Sequence, residues 1–413
     1  MSDSSGVVRL RGAQVVGPDG VFDAAALVLA DGLITDIGPG RGASTHDVAC
    51  DGGWIVPGFV DTHIHGGLGV DVLDGSDAVA RLAALLPRYG VTGFLPTSVA
   101  CPPHTLSTFL AAVAAAAAYP YLDAARVLGA HLESNFIHPD YAGAQPVRCL
   151  RLPPRADEPF ERDGDFTGAA ILDIVAGHRP AVRIVTLAPE LPGALDLVST
   201  LTASGHRVSL GHSGATYEQG LAAVAAGARH ATHLFNRMPP LSHRAPGLAG
   251  AVLETEAVTC ELVADGFHVH PALLRLAIRA KGRGGVAAIT DAVAVTGLPH
   301  GATGQLGGHT VRVGAHCAEL VDGTIAGSIT TMDAVFRRLV TTLGVSLVDA
   351  VHMTATTPAA AAGRPDLGRL AIGHAADLVV LDRDLRVRQT WVAGRCIWNS
   401  GAGADVSPAE VRP

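Results

Sequence analysis

The chain has no surplus of positive charge. Its formal net charge is -8 and its pI is about 6.1, which leaves no electrostatic footprint for nucleic acid or an anionic membrane. Charged residues make up only 16% of it, against 48% hydrophobic, with 49 Gly and 25 Pro. That composition belongs to a compact, enzyme-like globule with many tight turns and argues against disorder. Cysteine is sparse: Cys50, Cys101, Cys149, Cys260, Cys317 and Cys396 are scattered without a C-x-x-C pair. Neither a disulfide framework nor a thiolate zinc site is expected, only reduced, buried thiols. Met1 to Gly6 lack the basic region and apolar core of a secretory leader, so a cytoplasmic protein is expected. The alanine-rich run from Phe109 to Ala118 is too short to span a bilayer and reads as a buried helix.

The most informative segment is Gly58-Phe59-Val60-Asp61-Thr62-His63-Ile64-His65-Gly66, at the end of an apolar run. On a strand, residues two apart share a face, so His63 and His65 can bring both imidazoles to one point, as a divalent metal requires. With 19 His in 413 residues, roughly one H-x-H pair is expected by chance, and His268-Val269-His270 is a second example. The context of the pair must therefore decide.

At 413 residues the chain exceeds one ordinary core, so a large α/β barrel with an appendage, or two domains, is expected. Short β-type runs with Gly and Asp turns fill the first fifty or so residues (Val7 to Leu10, Ala13 to Val16, Ala26 to Leu29, Leu33 to Ile37). They return near the C-terminus in Ala376 to Leu381, Val387 to Val392 and Arg395 to Trp398. The two ends, 1–56 and 367–413, are expected to pack as one small β-sandwich domain, because small β pieces cannot bury a core separately.

Residues 57–366 alternate strand and helix. Strands are predicted at Ile55 to His65, Val91 to Ser98, Val127 to Glu133, Val182 to Ala188, Arg207 to His212, His230 to Asn236, Thr259 to Asp265 and Val286 to Asp291. Helices are predicted at Ser76 to Tyr89, Thr105 to Ala118, Tyr217 to Ala226 and Pro271 to Lys281. Eight such units make a (β/α)8 TIM-like barrel, in which chemistry gathers at the C-terminal ends of the strands. The predicted strand ends carry His63 and His65, Glu133, His212, His233 and Asp291. Each alone has an ordinary structural explanation, as a cap or a turn residue. Together at one rim they supply enough N and O donors for one or two divalent ions.

With these residues in view, the chain resembles the amidohydrolase superfamily, and within it the N-acetylglucosamine-6-phosphate deacetylase family. The matching segments are Pro57 to Gly66, His131-Leu132-Glu133, Leu210 to Thr216, Thr232-His233-Leu234-Phe235-Asn236, Ala264 to His268, Thr290-Asp291-Ala292 and Gly327 to Met332, in order over nearly the whole chain. Many superfamily members bridge two metals with a carboxylated lysine. The only lysine here is Lys281, between a helix and a glycine cluster, so that bridge cannot form, and cyclic-imide hydrolases are disfavoured with it. Glu133 is the available acid.

The resemblance implies that Glu133, His212 and His233 hold the primary metal, and that His63 and His65, sharing Glu133, can hold a second. The ion expected is Zn2+, one or two per subunit, although these donors also accept Fe2+, Mn2+ or Co2+. It further implies that Asp291 moves the proton, that His268 polarises the substrate carbonyl, and that His270 is structural. Asn236 would contact the sugar or its phosphate. Arg244 would reach into the neighbouring subunit of a homodimer to grip that phosphate.

Three positions depart from the family pattern. Ser134-Asn135 replace Gly-Pro, Gln145 replaces a substrate-contacting His at the end of Ala142-Gly143-Ala144-Gln145, and Arg237 occupies a position that is usually small. The expected activity is metal-dependent deacetylation of N-acetylglucosamine 6-phosphate. The alternatives are a deacetylase of another N-acyl amino sugar or N-acyl amino compound, and a non-enzymatic metal-binding scaffold, which would need neither Asp291 nor His268.

Overall fold

The computed structural model describes residues 6–23, 26–39, 44–154 and 165–401. The leader reading at residues 1–5 and the tail of the C-terminal segment from 402 lie outside these described residues.

Eight parallel strands form the centre: β1 (Phe59–Ile64), β2 (Val91–Ser98), β3 (Ala130–Glu133), β4 (Val182–Leu187), β5 (Arg207–Leu210), β6 (His230–Ala231), β7 (Thr259–Val263) and β8 (Val286–Ile289). Each pairs with the next in an unbroken path. Closure comes just beyond β8, where Ile64 and Ala292 form a parallel bridge. There the Asp291 amide donates to the His63 carbonyl at 3.0 Å and the His65 amide donates to the Ala292 carbonyl at 2.8 Å. The seam of the barrel thus places Asp291 beside the H-x-H pair.

Strands buried on both faces read as apolar runs. Every residue of β1, β2 and β8 is buried. At the N-terminal end of β1, Phe59 packs on Phe336 with ring centroids 5.1 Å apart. The outer helices start and stop where local chemistry dictates. Thr216 and Gln219 form a reciprocal cap on the helix Tyr217–Ala226. Pro271 opens the helix Pro271–Lys281, whose cap is the His270 ring, accepting from the Ala272 amide at 3.2 Å. The helix Pro103–Ala118 buries only one face, through Leu106, Phe109, Leu110 and Val113; several of its alanines are exposed, so it is a surface helix and not a buried one. Among the described residues no helix is long and apolar enough to cross a membrane. Five cysteines are buried, but Cys396 is exposed.

Several expected strands are shorter. Ile55 to His65 is broken at Gly58, where a Cβ would lie 2.1 Å from Thr92 Oγ1, into Trp54–Pro57 and β1. His230 to Asn236 keeps only its first two residues as strand, because His233 and Phe235 adopt φ of 27° and 77° and turn the chain sharply.

Outside the barrel, a four-stranded sheet (Leu33–Gly38, Ala26–Ala30, Val8–Arg11, His46–Ala49) faces a six-stranded one. The latter interleaves the two ends of the chain in the order Arg395–Asn399, Val387–Val392, Leu378–Leu381, Trp54–Pro57, Gln14–Val16, Val21–Phe22. Leu27 and Leu29 from one sheet and Ile55, Val380 and Trp391 from the other share one apolar core, the arrangement of a small sandwich. A further three-stranded sheet, Thr303–Leu306, His309–Val313 and Ala318–Leu320, follows β8.

Candidate metal centre and active site

The C-terminal rim of the barrel gathers the predicted donors. Glu133, at the end of β3, sits at the middle: its Oε1 is 2.8 Å from His212 Nε2 and 2.9 Å from His233 Nε2, and those two nitrogens are 3.1 Å apart. His63 and His65 approach from β1 with their Nε2 atoms 3.2 Å apart, and His65 Nε2 lies 3.5 Å from Glu133 Oε2. Asp291 closes the ring, with Oδ1 3.4 Å from His65 Nε2 and 3.6 Å from His63 Nε2. Glu133 with His212 and His233, and Glu133 with His63 and His65, are both groups spaced to hold an ion.

The outer nitrogens of three of these rings are already committed. His63 Nδ1 meets Glu261 Oε2 at 2.8 Å, His65 Nδ1 meets the Thr97 carbonyl at 2.9 Å, and His212 Nδ1 meets the Tyr141 carbonyl at 2.7 Å. These partners only accept, so the hydrogen-bond network assigns the proton to Nδ1 and leaves Nε2 bare. Bare nitrogens facing one another around a carboxylate repel unless a cation lies between them. Ligands about 2.0–2.2 Å from a tetrahedral ion are roughly 3.3 Å apart, close to the spacing of both groups.

The electrostatics also demand positive charge here, and without an ion the rings themselves would take it up as a proton on Nε2. Burial disfavours charge on His63 and His65, yet Glu261 raises the former to about 9, and Asp291 and Glu133 raise the latter to about 10. Burial also opposes ionisation of Glu133, but His212, His233 and His65 hold it well below the usual carboxylate range. Asp291 is lowered despite its burial, chiefly by His65 and His63, and is therefore ionised at neutral pH.

A cavity of ≈ 510 Å³ opens above the cluster, lined by Glu133, Asp291, His268, Asn236, Arg237 and Gln145 among others. His268 Nδ1 is held by Asp265 Oδ2 at 2.6 Å, so any hydrogen bond from this ring to a substrate uses Nε2. Asn236 donates to the His233 carbonyl at 3.0 Å, and Arg237 is exposed at the edge with φ of 51°. Arg244 lies apart from them: it is exposed on the loop before the helix Gly247–Glu254 and does not line the cavity of its own chain. Gln145 is placed differently from a free substrate contact. Its Oε1 accepts from the Ala100 amide at 2.7 Å, and its Nε2 donates to Glu133 Oε2. Lys281 is remote from the rim, its ammonium donating to the Val252 carbonyl at 3.1 Å beside the end of the neighbouring helix.

Sequence reasoning missed Glu261, Asp61 and Asp265. The first two carried a signal, a carboxylate in the interior of a predicted barrel strand; both are wholly buried. Asp61 Oδ1 accepts from the His63 amide at 3.2 Å, and burial pushes its carboxyl up to about 6.

Comparison with known proteins identifies the family. The sequence pattern of the Amidohydrolase family matches residues 198–397. The N-acetylgalactosamine-6-phosphate deacetylase of Escherichia coli O157:H7 is 36% identical over 389 residues, covering 94% of this chain and 98% of that one. The N-acetylglucosamine-6-phosphate deacetylase of Lysinibacillus sphaericus is 34% identical over 94% of this chain and 96% of its own. Among solved structures, the Mycobacterium smegmatis N-acetyl-D-glucosamine-6-phosphate deacetylase in complex with N-acetyl-D-glucosamine-6-phosphate superposes with a TM-score of 0.85. It is 34% identical, with 95% of this chain and 99% of that one covered. The chain belongs to the amidohydrolases, in the N-acetylglucosamine-6-phosphate deacetylase family.

Proposed function

We propose that this amidohydrolase removes the acetyl group of N-acetylglucosamine 6-phosphate, giving glucosamine 6-phosphate and acetate, as a cytoplasmic homodimer. The observation that carries the reading is the meeting of imidazole Nε2 atoms, the Glu133 carboxylate and the Asp291 carboxyl at the floor of one cavity. Glu133, His212 and His233 fit one divalent ion, and His63 and His65 with Glu133 fit a second; zinc suits these nitrogen and carboxylate donors. When bound, such an ion supplies Lewis acidity, which brings water within reach of deprotonation near neutral pH.

The chain's own groups do the rest. Asp291 accepts one proton of the attacking water and delivers it to the amide nitrogen as the carbon–nitrogen bond breaks, so the amine leaves neutral and acetic acid remains, which ionises to acetate by releasing the water's second proton. His268 acts here as an imidazolium: burial opposes its charge but Asp265 raises its pKa, so Nδ1–H donates to Asp265 and Nε2–H donates to the carbonyl oxygen as charge develops there. Asn236 and Arg237 bound the sugar, and Arg244 of each subunit serves the phosphate in its partner's site, where a guanidinium offers paired donors.

A second reading, another N-acylated amino sugar as substrate, is favoured by one observation: the Gln145 amide is engaged by Ala100 and Glu133 and not left for the sugar. Measured acetate release from N-acetylglucosamine 6-phosphate, its galacto epimer and unphosphorylated N-acetylglucosamine tests both. A kcat/KM highest for the first supports the primary reading; preference for either of the others transfers the assignment.

A further inference from the structure

Beneath the donor cluster, Glu261 of β7 is wholly buried and stands outside the residues that line the cavity. Its two oxygens serve three groups. Oε2 accepts from His63 Nδ1 at 2.8 Å and from the His233 backbone amide at 3.2 Å, and Oε1 accepts from His230 Nε2 at 3.1 Å. Because a carboxylate only accepts, the first contact puts the His63 proton on Nδ1 and turns the Nε2 lone pair toward His65 and Glu133. The second holds the chain where His233 adopts φ of 27°, an uncommon conformation for a side chain with a Cβ. That turn delivers His233 Nε2 to 2.9 Å from Glu133 Oε1.

We propose that Glu261 is the positioning residue of the centre, setting both donor groups at once through the tautomer of His63 and the turn at His233. This rests on the metal-centre reading above. It makes no contact with substrate, and its effect runs through the ligands.

The test is Zn2+ binding by the purified protein in competition with a chromophoric chelator, without substrate, for wild type, Glu261→Gln and Glu261→Asp. Glutamine is isosteric but must point an N–H at one of the groups that now donate. Its zinc affinity is expected to fall roughly 10- to 100-fold, with far-ultraviolet circular dichroism unchanged. Aspartate keeps the charge and retreats from His63, so a smaller loss is expected. Should glutamine prevent folding, the aspartate variant decides alone. Wild-type zinc affinity in the folded variants, with only the melting temperature lowered, would assign Glu261 a merely structural role and overturn the proposal. A wild-type protein that binds zinc but releases no acetate from any of the three sugars defeats the substrate reading and leaves the result for Glu261 standing.

Discussion

The side-chain amide of Gln145 donates to Oε2 of Glu133, the carboxylate whose other oxygen faces His212 and His233. A residue expected to touch substrate therefore holds a metal-ligand candidate in place. Its orientation is fixed from behind by the Ala100 amide. Gln145→Leu should weaken zinc binding by about 10-fold or more, with a fall in kcat at limiting zinc. A change in KM alone, at unaltered zinc affinity, would return Gln145 to the role of substrate contact.

Asp291→Asn should leave bound zinc near the wild-type content, because Glu133, His212 and His233 form a donor group without it. Turnover should drop on the order of 10² to 10⁴ for loss of the proton carrier. Elemental analysis beside an acetate assay reads both quantities; loss of zinc in step with activity would make Asp291 chiefly a ligand.

Arg244→Ala should raise KM for the 6-phosphorylated sugar by roughly 10- to 100-fold, the worth of a hydrogen-bonded charge, and leave the unphosphorylated sugar nearly unaffected. Equal effects on the two sugars would remove the phosphate assignment. Sedimentation of the wild type reports whether a partner subunit is present to receive the side chain.

Asp71, on the strand that pairs with Gly66 just after His65, supplies a pH test. It accepts from the Leu73 amide at 2.9 Å, and burial pushes its carboxyl from 3.8 up to about 6. The folded state thus holds a proton that the unfolded chain has released between those pH values. The stability contribution of this group is full below about pH 4 and is lost as pH rises to about 6, by about 3 kcal/mol. Asn cannot ionise, so the stability of Asp71→Asn minus that of wild type should climb across this interval in urea titrations. A flat difference would contradict the assignment.

At the other end of β1, Phe59→Ala should cost about 3–5 kcal/mol, the usual range for emptying a buried aromatic site. The kcat of the folded fraction should stay intact, since Phe59 packs against Phe336 and not at the ligand rim. Thermal melts and an active-site titration separate the two effects.

The legible and illegible parts of the sequence divide along physical lines. Val91–Ser98, Tyr217–Ala226, Pro271–Lys281 and Val387–Val392 appear with the expected bounds, because a period of two or of 3.6 and a cap or turn at each end agree there. The loop after β6 was hidden because His233, Phe235 and Arg237 take positive φ without a glycine to announce it. His212 and Asp291, at φ of 48° and 51°, behave alike. Such strained backbone concentrates where a site dictates it. The six side chains at the rim were readable as donors from their strand ends, but the contacts behind them were not. Glu261 meets His63 only after the barrel closes, and no local pattern encodes that meeting.

The interleaving of chain ends in the six-stranded sheet has a consequence for how the molecule comes into being. Ile55 pairs with Val380, and Trp54 with Leu381. On a translating ribosome, the edge of Trp54–Pro57 therefore waits for nearly the whole polypeptide to emerge before it gains that neighbour. Contacts so distant along the chain form slowly. A ribosome stalled before Leu378 would carry a nascent chain with this edge still open to aggregation or to a chaperone.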